Sequence, residues 1–341
     1  MNVAVDAMGG DHAPDWVVQG AVDAAAELGV RVILVGDQKR VAPVLNGRHA
    51  GGRVSIHHCE EVVGMDESPL KALRKKRDAS IRAAFHLVKS GRADAVVSAG
   101  NSGATLAAGV MILGRMQGVE RPAIAGILPA ERGPVVLIDV GANVDCRPSH
   151  LFQFGVMANA FAASCLGISN PTVGLLSIGE EAGKGNEQVR LAHEFFSKSD
   201  LNFVGNVEGR DILSGRARIL VCDGFVGNVI LKLTEGMASV MAQLIERELM
   251  GSFLGRAALL LGRNAMHNFI RRLDYEEYGG APLLGINGVG MICHGGSPPK
   301  AIKNAIHMAV QYVNNRVLEK MTFQLTASGP SQKLDSPALS R

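Results

Sequence analysis

Short apolar runs that each break off into a polar, glycine-rich turn recur along this chain, and no other feature constrains its fold so tightly. They are "NVAVDAMGGD" from Asn2, "RVILVGD" from Arg31, "DAVVSAGNSG" from Asp94, "PVVLIDVGAN" from Pro134, "TVGLLSIGEE" from Thr172 and "RILVCDGFVGN" from Arg218. Between them lie segments with helical spacing, such as "WVVQGAVDAAAELG" and "LFQFGVMANAFAASCLG". Continuous apolar strands alternating with amphipathic helices predict an α/β fold whose mostly parallel sheet is covered on both faces. "LLGINGVGMICHGG" at 283–296 reads as a late strand or hairpin ahead of a helix from Pro299 to Leu318. The organisation expected is one domain over 1–325 with a helical hairpin insertion at 237–280. The polar tail 326–341 is expected to be disordered.

Composition narrows the function classes. A chain with 47% hydrophobic and 20% charged residues is a globular protein of the enzyme type. Its 41 glycines follow no short period, which excludes collagen-like and solenoid architectures. A net charge of +3 is too small to imply nucleic-acid binding. Five cysteines, an odd number, predict reduced thiols and a cytoplasmic setting. "MNVAVDAMGGDHAPD" has no basic segment before a long apolar one, so no signal peptide is expected. The longest unbroken apolar stretches, such as "AALLL" at 257–261, fall short of a membrane span.

Open α/β sheets bind ligands at the carboxyl ends of their strands, and a parallel sheet would gather those ends into one composite site. There lie Asp6, Gly9, Gly10, Asp11, Asn101, Ser102, Gly103, Asp139, Asn143, Glu180, Glu181, Lys184, Asp223 and Asn228. "SAGNSGAT" at 98–105 combines small residues, which admit a ligand to the backbone, with the N–H groups of a helix start. It reads as an anion loop or as a plain helix cap. "GEEAGKG" at 179–185 is one residue short of a Walker loop and has Gly185 where Ser or Thr is required. "GINGVG" at 285–290 has its glycines in the wrong order for a dinucleotide turn, so NAD and ATP are disfavoured. Lys184 is a candidate counter-charge for phosphate, with Glu180 and Glu181 beside it or in a local ion pair. Asn143 and Asn228 are candidate oxyanion donors or simple turn residues. His294 is a candidate acid–base or phosphate group. No spacing is diagnostic of a metal, and no cofactor is expected. The segment 250–273 carries Arg256, Arg263, Arg271 and Arg272 with Leu259 and Leu260 and no acidic residue. A basic amphipathic segment suits an anionic membrane, an acidic protein or a dimer contact.

"DAMGGDHAP", "SAGNSGA", "ERPAIAGILP", "DVGANVDC", "SIGEEAGKG", "VCDGFVGNVILK" and "HGGS" follow in this order over residues 1–320. In that combination the chain closely resembles the bacterial phosphate acyltransferase family. The resemblance implies a Rossmann-like α/β/α homodimer, similar to phosphotransacetylases and to isocitrate and isopropylmalate dehydrogenases. It implies transfer of a long-chain acyl group from acyl carrier protein to inorganic phosphate. The acyl phosphate then passes to a membrane glycerol-3-phosphate acyltransferase for phospholipid synthesis. Ser102 stands where the family commonly has Thr, which keeps the hydroxyl, and Ala79 stands where Ser is frequent.

In this light Asn101, Ser102, Gly103 and Lys184 would hold phosphate against the thioester, and Asn143 or Asn228 would stabilise the oxyanion. The acidic carrier would dock on basic residues of 71–82 or on 256–272, with peripheral membrane contact through the latter. Alternatives are a short-chain phosphotransacetylase acting on acyl-CoA, a metal- and NAD-dependent dehydrogenase on the related fold, and a non-catalytic scaffold joining carrier protein to membrane.

Overall fold

A computed structural model describes residues 1–48, 51–252 and 275–327. The strands are β1 (Asn2–Asp6), β2 (Arg31–Gly36), β3 (Val54–His58), β4 (Ala95–Ser98), β5 (Ala123–Leu128), β6 (Val135–Ile138), β7 (Val173–Leu176), β8 (Phe203–Val207), β9 (Ile219–Val221), β10 (Ala281–Leu284) and β11 (Val289–Ile292). The helices are α1 (Asp15–Leu28), α2 (Gln38–Asn46), α3 (Pro69–Lys75), α4 (Ser80–Lys89), α5 (Ser102–Leu113), α6 (Pro148–Cys165), α7 (Glu187–Ser197), α8 (Gly224–Met250), α9 (Pro299–Asn314) and α10 (Val317–Ala327).

The strands form one sheet in the order β3-β2-β1-β4-β11-β10-β5-β6-β9-β7-β8. Its central strands are buried on both faces because they are apolar on both, whereas the edge strands β3 and β8 carry polar residues and are only partly buried. Val3 and Val5 join the hydrophobic cluster on one face and Ala4 that on the other; Ile138 and Leu137 divide likewise. Short strands and helices with glycine or asparagine stops account for the clean punctuation. Gly29 ends α1 at φ +67°, and Asn101 caps α5 by accepting the Ala104 N–H at 3.0 Å.

One expectation fails in an instructive way. β11 pairs antiparallel with β10, β10 with β5, and β5 with β6. These three reversals turn β6, β9, β7 and β8 against the direction of β1, β2, β3, β4 and β11. The carboxyl ends of the two halves therefore lie on opposite edges, and the strands do not gather all their polar turns into one site. The late hairpin expected at 283–296 is β10–β11, and it supplies two of the reversals. The expected last helix is two, α9 and α10, with Arg316 at φ +52° between them. α10 carries the chain two residues into the expected tail; residues 328–341 lie outside the described ones.

α8 begins packed on the sheet and then leaves it. None of the side chains described from Gly236 to Met250 is buried, and Met237, Val240, Met241 and Leu244 are 44–53% exposed. With a mean hydropathy of 1.2 over its best window, α8 is long and apolar enough to cross a membrane. The search for unbroken apolar runs misses this, because α8 reaches its length with interspersed polar residues.

Candidate active site

Three loops knit together at the edge where β1, β4 and β11 end. Ser98 pairs with Asp6 on one side and with Ile292 on the other, so the turns that follow are neighbours. Asp6 is buried among them. Its carboxylate accepts the Ser98 hydroxyl at 2.8 Å and the Met8 N–H at 3.3 Å, with further bonds from Ser80 and Gly9. Burial raises its pKa, against these donors. Gly9 meets Gly100 so closely that a Cβ would stand 2.7 Å from the Gly100 nitrogen. Gly10 sits at φ +114°, and the Asp11 N–H donates to the Gly295 carbonyl at 2.8 Å. The Asp11 carboxylate lies beside Gly295 and Gly296.

Asn101 organises the mouth of this edge. Its Nδ2 donates to the carbonyls of Met65 at 2.9 Å and Glu67 at 3.2 Å, strapping the 64–68 loop over the start of α5. Its Oδ1 caps the helix, so its amide is fully committed. The N–H groups of Ser102 and Gly103 have no acceptor among the described residues. They are the uncommitted donors of a helix start, where the helix dipole favours an anion.

Ser102 and His294 reach a cavity of about 320 Å³ on one face of the central strands. Its apolar wall is Ile124, Ile127, Val140 and Ile292; α8 closes it with Asn228, Leu231, Lys232 and Glu235. α8 comes close enough because Gly227 packs on the Asp139 carbonyl, where a Cβ would clash. Asn228 lies beside Gly141 and has no hydrogen-bond partner among the described residues. Gly296 N–H donates to His294 Nδ1 at 3.2 Å, so Nδ1 serves as an acceptor and Nε2 is left as the ring's donor. Tyr278, whose pKa burial raises, completes the rim.

The other candidates lie at the opposite edge and hold structure there. Asp139 accepts the N–H groups of Ile124, Gly141, Ala142 and Asn143 and the Asn143 side chain. Asn143 also donates to the Pro122 carbonyl at 2.7 Å, so its amide is not available to an oxyanion. Asp223 caps α8 through the Val226 N–H. Glu180 pairs with Arg216 at 2.7 Å, and the Glu181 carbonyl accepts from Asn206. Lys184 is exposed in the same loop and does not line the cavity. The reversal of β6, β9 and β7 is the reason. Arg256, Leu259, Leu260, Arg263, Arg271 and Arg272 lie outside the described residues.

Lys232, Glu235, Tyr278 and Ser297 line the cavity without having been singled out from the sequence. Lys232 closes the motif "VCDGFVGNVILK" four residues after Asn228, a spacing that puts both on one helix face. Among the described residues no three His, Cys, Asp or Glu side chains stand together as a metal site. Cys293 reaches the cavity, but burial pushes its thiol up to about 12. It is therefore held as the thiol rather than the nucleophilic thiolate.

Comparison with known proteins shows the family and the fold. The family model described as fatty acid synthesis protein matches residues 1–320. A phosphate acyltransferase from Nitratidesulfovibrio vulgaris (strain DP4) is 53% identical over 328 residues, covering 96% of this chain and 95% of its own. One from Geobacter sp. (strain M21) is 55% identical over 327 residues, covering 94% and 93%. Among solved structures, a phosphotransacetylase from Streptococcus pyogenes superposes with a TM-score of 0.61 at 20% identity, over 94% of each chain, and shows the same fold. The chain belongs to the fatty acid synthesis protein family.

Proposed function

We propose that this chain is a phosphate acyltransferase that moves a long-chain acyl group from acyl carrier protein to inorganic phosphate, releasing acyl phosphate for phospholipid synthesis. The observation that carries the reading is a helix start whose first residue, Ser102, lines an apolar-walled cavity and whose N–H has no acceptor among the described residues, in a chain whose relatives are named phosphate acyltransferases.

Near neutral pH a large fraction of inorganic phosphate is already the hydrogen phosphate dianion, which needs positioning more than deprotonation. Ser102, through its N–H and hydroxyl, the Gly103 N–H and His294 Nε2 hold it. Holding both reactants in attack geometry supplies about 7–11 kcal/mol of the barrier. A phosphate oxygen forms the new bond to the thioester carbon, and the carbonyl becomes an oxyanion facing the Asn228 amide, a donor worth about 3–4 kcal/mol. Collapse breaks the C–S bond. The thiolate leaves with the electron pair and takes up the proton that hydrogen phosphate brought. Asp6 and Asn101 act as positioning residues that set the loops.

The acidic carrier docks on α3 and the residues just after it, where Lys71, Arg74, Lys75 and Arg77 are exposed, beside the strap that Asn101 fastens. The apolar face of α8 packs against a second copy in a homodimer. Residues 250–273 make the peripheral membrane contact of a cytoplasmic enzyme. The test is acyl phosphate formation from labelled phosphate with palmitoyl carrier protein, compared with acetyl-CoA. Turnover of the carrier substrate at the higher rate is expected. Turnover of acetyl-CoA alone would make the protein a short-chain phosphotransacetylase, and none with either would return it to a scaffold.

A further inference from the structure

The cavity contains an ion pair that the mechanism above leaves unused. Asn228, Leu231, Lys232 and Glu235 fall at i, i+3, i+4 and i+7 on α8, and all of them line the cavity. Lys232 Nζ donates to Glu235 Oε2 at 2.8 Å; the Glu235 side chain is only 19% exposed, whereas that of Lys232 is half exposed. Apart from His294, Lys232 is the one basic side chain among the described residues lining the cavity.

Phosphate binding at this site has a charge problem. A helix start offers roughly half a positive charge, and His294 offers a single ring N–H donor at Nε2. A dianion drawn into a partly apolar cavity loses hydration that such partial charges do not replace. Lys184, the counter-charge expected from the sequence, does not line the cavity. Lys232 does. An ammonium has three N–H donors; Glu235 takes one and leaves two for oxygen atoms in the cavity.

We propose that Lys232 is the catalytic cation of the site, contacting phosphate and the developing oxyanion from the α8 wall, and that Glu235 positions it. The proposal rests on the phosphate acyltransferase reading. The ammonium stays charged throughout and transfers no proton, so the balance of the reaction is that given above. Asn228 and Lys232, one helical turn apart, then address the carbonyl and the phosphate from the same wall.

The experiment titrates phosphate into wild-type protein and Lys232→Gln by calorimetry, and measures steady-state kinetics with sulfate as a non-reacting competitor. Lys232→Gln should raise the phosphate Kd, the phosphate KM and the sulfate inhibition constant together, by about 10- to 100-fold. Its melting temperature should stay that of the wild type, and Lys232→Arg should recover part of the loss. Glu235→Ala should lower kcat by about 2- to 5-fold, with Glu235→Gln restoring it by keeping an acceptor in place. Unchanged phosphate and sulfate constants in Lys232→Gln would overturn the proposal, and so would a loss found only in Lys184→Ala. Because the titration needs no turnover, it separates failure of this assignment from failure of the acyl-transfer reading, which the wild-type assay decides.

Discussion

Where β1, β4 and β11 end, Asn101 fastens the strap and caps α5, yet the N–H groups of Ser102 and Gly103 have no acceptor among the described residues. Where β6, β9 and β7 end, Asp139 is saturated by backbone and side-chain donors and Glu180 is held by Arg216. Both edges are written in the same sequence dialect: an apolar strand, then Gly, Asn and Asp. The difference is in what the polar groups have left over. Backbone donors at a helix start that stay uncommitted can receive a ligand, whereas a carboxylate filled by its own loop has no capacity for one.

The largest effect should come from breaking the saturated edge. Asp139→Ala strands the donors of Ile124, Gly141, Ala142 and Asn143 in the interior, and a loss of about 3 kcal/mol or more is expected in urea unfolding. A variant that unfolds at the wild-type midpoint would mean that the loop finds other acceptors. The open edge calls for a cleaner cut. Ser102→Pro removes one N–H and one hydroxyl at the first helical position, where proline fits, and Asn101 before it is already extended at ψ 114°. The fold should persist while the phosphate KM rises by about 10-fold or more. Ser102→Ala, which keeps the N–H, should lie between that variant and wild type. If Ser102→Pro melts normally and binds phosphate normally, the helix start is only a helix start.

Much of this contrast was beyond the reach of the sequence, for physical reasons. Strand positions at Asn2, Arg31, Ala95, Val135, Val173 and Ile219 were legible because strands buried on both faces read as unbroken apolar runs. Direction was not, since nothing in "AIAGIL" says that β5 runs against both its neighbours. Once three antiparallel pairings enter the middle of the sheet, turns that look equivalent in the chain face opposite ways. Asn101 and Asn143 were found as polar turn residues, but whether an amide serves its own loop or a ligand depends on carbonyls such as those of Met65 and Pro122, distant in sequence. Lys232 was missed because its motif was read as a strand end, although four-residue spacing from Asn228 already tied the two.

A surface version of the contrast gives a smaller effect. Lys71 and Arg74 on α3 have no ion-pair partner among the described residues, whereas Arg216 on the far edge is engaged by Glu180. Reversing Lys71 and Arg74 to Glu should raise the KM for acyl carrier protein by about 3- to 10-fold at low salt, mostly through association, and leave the phosphate KM alone. Loss of the difference at high salt would support electrostatic docking. An equal rise in both constants would instead place the damage in the strap.

The smallest effect is expected inside the cavity itself, at the residue that looks most reactive. Cys293 lines the wall, and a thiol there invites an acyl-enzyme mechanism. Its pKa lies at about 12 against the ordinary 9.0, and burial is the cause. The folded chain thus keeps a proton that the unfolded chain releases between those values. This contribution to stability is fully present below pH 9 and is lost as pH rises towards 12, by up to about 1.4 kcal/mol per pH unit. At neutral pH the thiolate is scarce, which disfavours an acyl-enzyme and fits the proposed direct attack by phosphate. Cys293→Ala should therefore make acyl phosphate within about twofold of the wild-type rate, less than 0.5 kcal/mol of barrier. It should also lose stability less steeply than wild type above pH 9, because one titrating group is gone. Release of carrier protein from wild type before phosphate is added, absent in the variant, would reverse the conclusion and make the thiol the first acyl acceptor.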